Sequence, residues 1–262
     1  MNTDIFIGLF LPFAGTSLGA ALVFFSKNQI NGLLQKTLLG FASGVMMAAS
    51  VWSLLIPSME MAQDSGMGRL SFLPAVIGFS IGIVGLIIID RSVPHLHLGL
   101  DVPEGPRSNL RKTSMMILAV TIHNLPEGMA VGAIFAGALA NGDAVSYSAA
   151  LALSIGIAIQ NFPEGAIISL PLAAEGQSKR KSFIYGVLSG AVEPIGAIIT
   201  ILLSRIMIPF LPYLLSFAAG AMIYVTVEET IPEASEGSHS NLATVGFAVG
   251  FMMMMVLDTA FG

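Results

Sequence analysis

Residues 113–137 read TSMMILAVTIHNLPEGMAVGAIFAG, and residues 146–172 read SYSAALALSIGIAIQNFPEGAIISLPL. Each run is long and apolar enough to cross a bilayer core as one helix, which takes about 20 residues. Each also holds a near-copy of one hexapeptide: His123-Asn124-Leu125-Pro126-Glu127-Gly128 and Gln160-Asn161-Phe162-Pro163-Glu164-Gly165. A carboxylate in hydrocarbon costs about 3 kcal/mol or more unless it faces a polar interior, so a buried acid in a span points to a functional site. Here two acids recur in duplicate, each with polar neighbours at fixed spacing. That pattern asks for a cation between them.

The rest of the chain agrees with a membrane class. Of 262 residues, 55% are apolar and 10% charged, against about 25% charged in a soluble domain; the mean hydropathy is +0.83. There is no cysteine, which excludes thiolate metal sites and disulfides. The net charge of −5, with no basic stripe, excludes a nucleic-acid partner. Met1-Asn2-Thr3-Asp4 carries no basic n-region and no small-residue cleavage signal, so the first apolar run reads as a retained span.

The expected fold is an all-α polytopic membrane protein of eight transmembrane helices. The spans fall at about 5–25, 33–57, 71–90, 113–137, 146–172, 182–205, 209–231 and 241–261, and residues 1–262 form one transmembrane domain. The links are short except for about 91–112, which carries Pro94, Pro103 and Pro106 with mixed charge and reads as a flexible loop. Links one, three, five and seven together hold nine lysines and arginines: Lys27, Lys36, Arg91, Arg107, Arg111, Lys112, Lys179, Arg180 and Lys181. Links two and six hold Arg69 and Arg205. The asymmetry puts the odd links in the cytoplasm and both termini outside.

Gly-x-x-x-Gly occurs at Gly15/Gly19, Gly40/Gly44, Gly78/Gly82, Gly128/Gly132, Gly186/Gly190 and Gly246/Gly250, a pattern that lets helix backbones approach closely. The chain also repeats itself. Phe41-Ala42-Ser43-Gly44-Val45-Met46 matches Phe217-Ala218-Ala219-Gly220-Ala221-Met222, and both runs then reach an Ile-Pro, at Ile56-Pro57 and Ile231-Pro232. The matched spans run in opposite directions, as do the two hexapeptide spans. Inverted repeats with proline-interrupted segments point to a secondary transporter with its site near the midplane.

At 100° per residue, with His123 at zero, Glu127 sits at about 40° and Asn124 at about 100°, so the glutamate lies between its two polar neighbours on one face. Gln160, Glu164 and Asn161 trace the same arc on the next helix. Face to face, the arcs form two adjacent cation sites bridged by both glutamates. Pro126 and Pro163 each remove a backbone hydrogen bond, and the freed carbonyls of Ile122 and Ile159 require a polar cavity. One imidazole with carboxamides and carboxylates suits zinc, iron(II), manganese or cadmium better than calcium or magnesium. Glu193, ahead of Pro194, is a further candidate ligand, and Met46 could add a thioether. The alternatives are an interhelical hydrogen bond for Glu193 and core filling for Met46.

These motifs resemble the signature of the ZIP (Zrt-/Irt-like) metal transporters. Gln160 at the head of the second motif is similar to the GufA-like bacterial branch, and Gly-Phe-Ala-Ser-Gly-Val-Met-Met-Ala-Ala-Ser at 40–50 extends the likeness. The resemblance implies an elevator-type or alternating-access carrier that brings Zn²⁺, with Fe²⁺, Mn²⁺ or Cd²⁺ as further cargoes, into the cytoplasm through a binuclear centre. It implies a first site of Met46, His123, Glu127, Gln160 and Glu164, and a second of Asn124, Glu127, Asn161, Glu164 and Glu193. Position 161 is Asn where some relatives place Asp, which weakens the second site; Gln160 stands where others have His, which broadens selectivity. The implied location is the cell inner (plasma) membrane. The expected partners are divalent metal ions and the lipid bilayer, with a homodimer as the assembly left open, and no catalytic cofactor is expected.

Asp90, Glu228, Glu229 and Asp258 could line access or exit routes, and the sequence does not choose among them. His95 and His97 resemble the metal-capturing histidines of the family's cytoplasmic loop, with solvated loop residues as the alternative. An intramembrane metalloprotease is disfavoured: there is no His-Glu-x-x-His, and one intramembrane histidine cannot supply the usual ligands. A proton-coupled carrier of an organic solute would not need duplicated amides and acids converging on one point. No Gly-x-x-x-x-Gly-Lys-[Ser/Thr] occurs, which excludes that route to ATP use. The expectation is a carrier, not an enzyme.

Overall fold

A computed structural model describes residues 3–25, 31–96, 103, 105–140, 145–174, 176–204, 208–237 and 240–261. The first span is α1 (Thr3–Phe25). The second is α2 (Gly32–Ala49), which passes through a π-helical turn at Ser50–Leu55 into α3 (Ile56–Ala62). The third is α4 (Phe72–Ser92), the fourth α5 (Lys112–Leu139) and the fifth α6 (Tyr147–Ala174). The sixth is broken into α7 (Lys179–Gly190) and α8 (Val192–Ser204). The seventh repeats the plan of the second: α9 (Leu211–Val225), a π turn at Thr226–Thr230, then α10 (Ile231–Ser235). The eighth is α11 (Leu242–Phe261). Among the described residues eight helices are long and apolar enough to cross a membrane, and there is no strand.

The six glycine pairs mark where these helices meet. A Cβ added at Gly15 or Gly19 would strike the Ala158 or Phe162 carbonyl on α6. The equivalent clash at Gly78 or Gly82 is with Tyr213 or Phe217 on α9, and at Gly128 or Gly132 with Glu193 or Ala197 on α8. Gly40 and Gly44 press on α11, while Gly246 and Gly250 press back on Thr37 and Phe41 of α2. Gly186 and Gly190 face Ala20 and Thr16 of α1. Removing the side chain brings backbones together, which supplies the packing that the hydrophobic effect cannot supply between helices in lipid.

Four seams follow: α1 with α6, α5 with α8, α2 with α11, and α4 with α9. Exchanging the first span for the sixth, second for seventh, third for eighth and fourth for fifth maps these seams onto one another. That is the inverted repeat expected from the Phe41–Met46 and Phe217–Met222 match. It divides the spans into two groups of four: the first, fourth, fifth and sixth, and the second, third, seventh and eighth. The groups touch where α5 meets α9 and where α2 meets α6. The fifth span is the most buried, and the third and eighth are the least.

The second span is longer than expected. It runs on to Leu70 instead of ending near Pro57. The reason is the π turn: the Ile56 N–H bonds back to the Val51 carbonyl, and Pro57 then falls in the first positions of α3, where its missing N–H costs nothing. Ile231 bonds back to Thr226 and Pro232 starts α10 in the same way. Lys27 and Arg205, used for orientation, lie outside the described residues.

Candidate metal centre

α5 and α6 continue as helices through Pro126 and Pro163, and they bring the two hexapeptides together. His123 Nε2 stands 3.9 Å from Glu127 Oε1 on its own helix and 3.3 Å from Glu164 Oε1 across the seam. One ligand atom from each of His123, Glu127 and Glu164 lies within 4.8 Å of the others, a grouping that could hold a metal ion. Gln160 donates its amide to Glu127 Oε1 at 2.6 Å and to Asn161 Oδ1. Asn124, Glu127, Gln160, Asn161 and Glu193 are fully buried.

The break in the sixth span completes the arrangement. Helix α7 ends at Gly190, and Pro194 cannot supply an N–H to continue it; α8 restarts at Val192 with Glu193 in its first turn. The Ser189 carbonyl at the break accepts from Asn124 Nδ2 at 3.2 Å. This fixes the amide and turns its oxygen the other way. Glu193 sits beside Asn161 and accepts from the Thr16 hydroxyl at 2.8 Å.

What remains unpartnered is chemically telling. Asn124 Oδ1, Glu127 Oε2, Gln160 Oε1, both Glu164 oxygens and Glu193 Oε2 are buried with no hydrogen bond. Buried polar atoms are normally satisfied. Six acceptors from five side chains, with His123 Nε2, outnumber the one unpartnered amide donor there, Asn161 Nδ2, and make the electron-rich environment a cation satisfies.

The comparisons decide the family. A model of the ZIP zinc transporter family matches residues 101–258. The zinc transporter ZIP11 of Homo sapiens is 36% identical, over 98% of this chain and 96% of its own length. The zinc transporter ZIPB of Bordetella bronchiseptica is 38% identical over 95% of this chain and 79% of its own. The zinc transporter GufA of Myxococcus xanthus is 34% identical over 95% and 96%. The chain belongs to the ZIP family. Its members are carriers, not enzymes, and it is a multi-pass membrane protein whose substrates are divalent metal ions.

Met46 of this ZIP protein is fully buried, and its sulfur lies 3.8 Å from the Thr226 hydroxyl, across the contact between α2 and the seventh span, while that hydroxyl donates to the Met222 carbonyl at 2.8 Å. The acids that sequence reasoning left unassigned part ways. Glu229 Oε2 lies 3.5 Å from His123 Nδ1, and a cavity of about 50 Å³ lined by His123, Glu164, Glu229 and Glu233 adjoins it. Glu228 instead faces a larger cavity with Asp90, Arg91 and Tyr224. Asp258 accepts from Ser53 at 2.6 Å. Helical phase could not have chosen between Glu228 and Glu229, because the π turn that carries them shifts the register by about one residue, or 100°.

Glu233 and Thr16 escaped sequence reasoning altogether. Glu233 follows Pro232 at what reads as a span end, and Thr16 is one hydroxyl in an apolar run. The solvated-loop reading of His95 is corrected: it is buried, its Nε2 is 3.0 Å from Asp90 Oδ1, and its Nδ1 is 2.8 Å from the Val93 carbonyl. The Leu96 N–H bonds to the Met115 carbonyl, so the start of the third link is tied back to α5. His97 lies outside the described residues.

Proposed function

We propose that the cargo of this carrier is chiefly zinc, and that it crosses through two adjacent sites bridged by Glu127 and Glu164. The first site takes Met46, His123, Glu127, Gln160 and Glu164; the second takes Asn124, Glu127, Asn161, Glu164 and Glu193. The whole chain acts as one transmembrane domain in the cell inner membrane, with both termini outside and net movement into the cytoplasm. The observation that carries this is the excess of buried acceptor atoms that take no hydrogen bond around the His123, Glu127 and Glu164 cluster. The mixed nitrogen and oxygen set suits zinc and its neighbours, and the relatives named as zinc transporters support zinc first. The lysine and arginine asymmetry supports the orientation.

The mechanism rests on a two-group design. The fourth, fifth and sixth spans supply seven of the eight ligands, the first packs against them, and the second supplies Met46. Movement of one group against the other would carry the ions past the seam where α5 meets α9, with Glu229 and Glu233 receiving them at one end. The test is radiolabelled zinc uptake into proteoliposomes. Wild-type protein accumulates zinc, and Glu127→Ala and Glu164→Ala do not. Wild-type uptake by either variant refutes the bridging assignment; metal-dependent proteolysis without uptake refutes the carrier.

A further inference from the structure

We propose that Thr16 is a positioning residue for the second metal ion, holding the Glu193 carboxylate so that one oxygen is left for the cargo. The inference rests on the two-site reading above. Hydroxyls within these spans usually bond the carbonyl four residues back: Ser43, Ser50, Thr121, Ser154 and Thr226 all do so at 2.7–3.0 Å. Thr16 departs from that habit. Its own candidate carbonyl, Pro12, is 3.4 Å away, while Glu193 Oε1 is at 2.8 Å. One proton serves the nearer acceptor, so the hydroxyl is spent on Glu193 and not on its own helix.

The seat for this bond is built. Thr16 and Glu193 are both fully buried. Gly165 on α6 has no room for a Cβ against the Thr16 carbonyl. A Cβ on Gly190 would come within 2.9 Å of Thr16 Cβ and Cγ2 and 3.0 Å of Glu193 Oε1. Three helices therefore fit around one hydroxyl and one carboxylate 177 positions apart in the chain. With Oε1 engaged, Oε2 is the buried oxygen with no hydrogen bond. Thr16 so selects which Glu193 oxygen meets the ion, and in what orientation. Removing such an outer partner weakens metal binding by about 10–100-fold.

The experiment uses the full chain, purified in detergent, with zinc as the probe. Stoichiometry is read by elemental analysis and affinities by calorimetry. Thr16→Val replaces the hydroxyl with a methyl at nearly constant shape; Thr16→Ser keeps the hydroxyl and loses the methyl. Expected are two ions per wild-type chain, with the weaker bound about 10–100-fold less tightly in Thr16→Val and the tighter one unchanged. Thr16→Ser should stay near wild type. Should Thr16→Val not fold, Thr16→Ala is read in its place. Two ions bound with wild-type affinities by the hydroxyl-free variant overturn the role of Thr16 alone, as does a Thr16→Ser protein that is the worse of the two. A wild-type chain that binds one ion overturns the two-site reading and this role with it.

Discussion

Replacing Glu164 with Gln tests the centre with the least disturbance of shape. The Glu164 oxygens accept no well-aligned hydrogen bond, and the one close polar contact is His123 Nε2 at 3.3 Å, which an amide oxygen can still meet, so the main loss is charge. The ligand atoms of His123, Glu127 and Glu164 lie within 4.8 Å of one another. A dication among them is no farther than that from the carboxylate, an attraction of about 7 kcal/mol at an effective dielectric near 20. Much of this is returned, because a buried carboxylate forfeits several kcal/mol of hydration that a neutral amide does not. The amide oxygen also remains a ligand. A net loss of about 3 kcal/mol is expected, which is more than 100-fold in zinc affinity.

Stability should move the other way. Without metal, Glu127 and Glu164 repel each other across the seam, so Glu164→Gln should melt at the same temperature as wild type or higher. One kcal/mol is worth about 2–4 °C for a chain of this size. The protective shift that zinc gives wild type should shrink in proportion to the lost affinity. Calorimetric titration and thermal melting with and without zinc read both quantities on the same sample. Affinity within threefold of wild type, in a variant that melts normally, would refute the assignment of Glu164 as a bridging ligand.

Asn161→Asp should tighten the second site, since it adds a hard anionic ligand beside Glu193; unchanged affinity for the weaker ion would count against that site. Asn124→Ala should impair uptake less than His123→Ala, because a neutral amide oxygen is the weaker ligand, and equal losses would mean that the two sites act only together. Protons and metal compete for the imidazole lone pair, so apparent affinity should fall as the pH is lowered and His123 takes up a proton. Titrating His123→Gln against wild type checks this, and an unaltered pH profile would exclude His123 as the competing ligand. Gly44→Val should leave little folded protein, since even one Cβ there meets the Phe247 carbonyl on α11; normal yield in a size-exclusion profile would refute the seam.

Much of this protein is legible in its chain because lipid is a severe solvent. Spans must be long, apolar and helical, so eight of them can be counted from composition, and the acids of two hexapeptides stand out because hydrocarbon does not tolerate them. The arc of His123, Asn124 and Glu127 follows from 100° per residue, and close packing follows from glycine spacing. Which helices share a seam does not follow, since Gly128 could have met any backbone and meets that of Glu193. Tertiary structure alone turned Glu229 to His123 and Glu228 to Asp90, through a π turn that no helical wheel anticipates. It buried His95 against Asp90 in a link that reads as mobile. It also joined Thr16 to Glu193 across most of the chain's length. Local periodicity determines what a residue can face; only the packing of distant helices decides what is there to be faced.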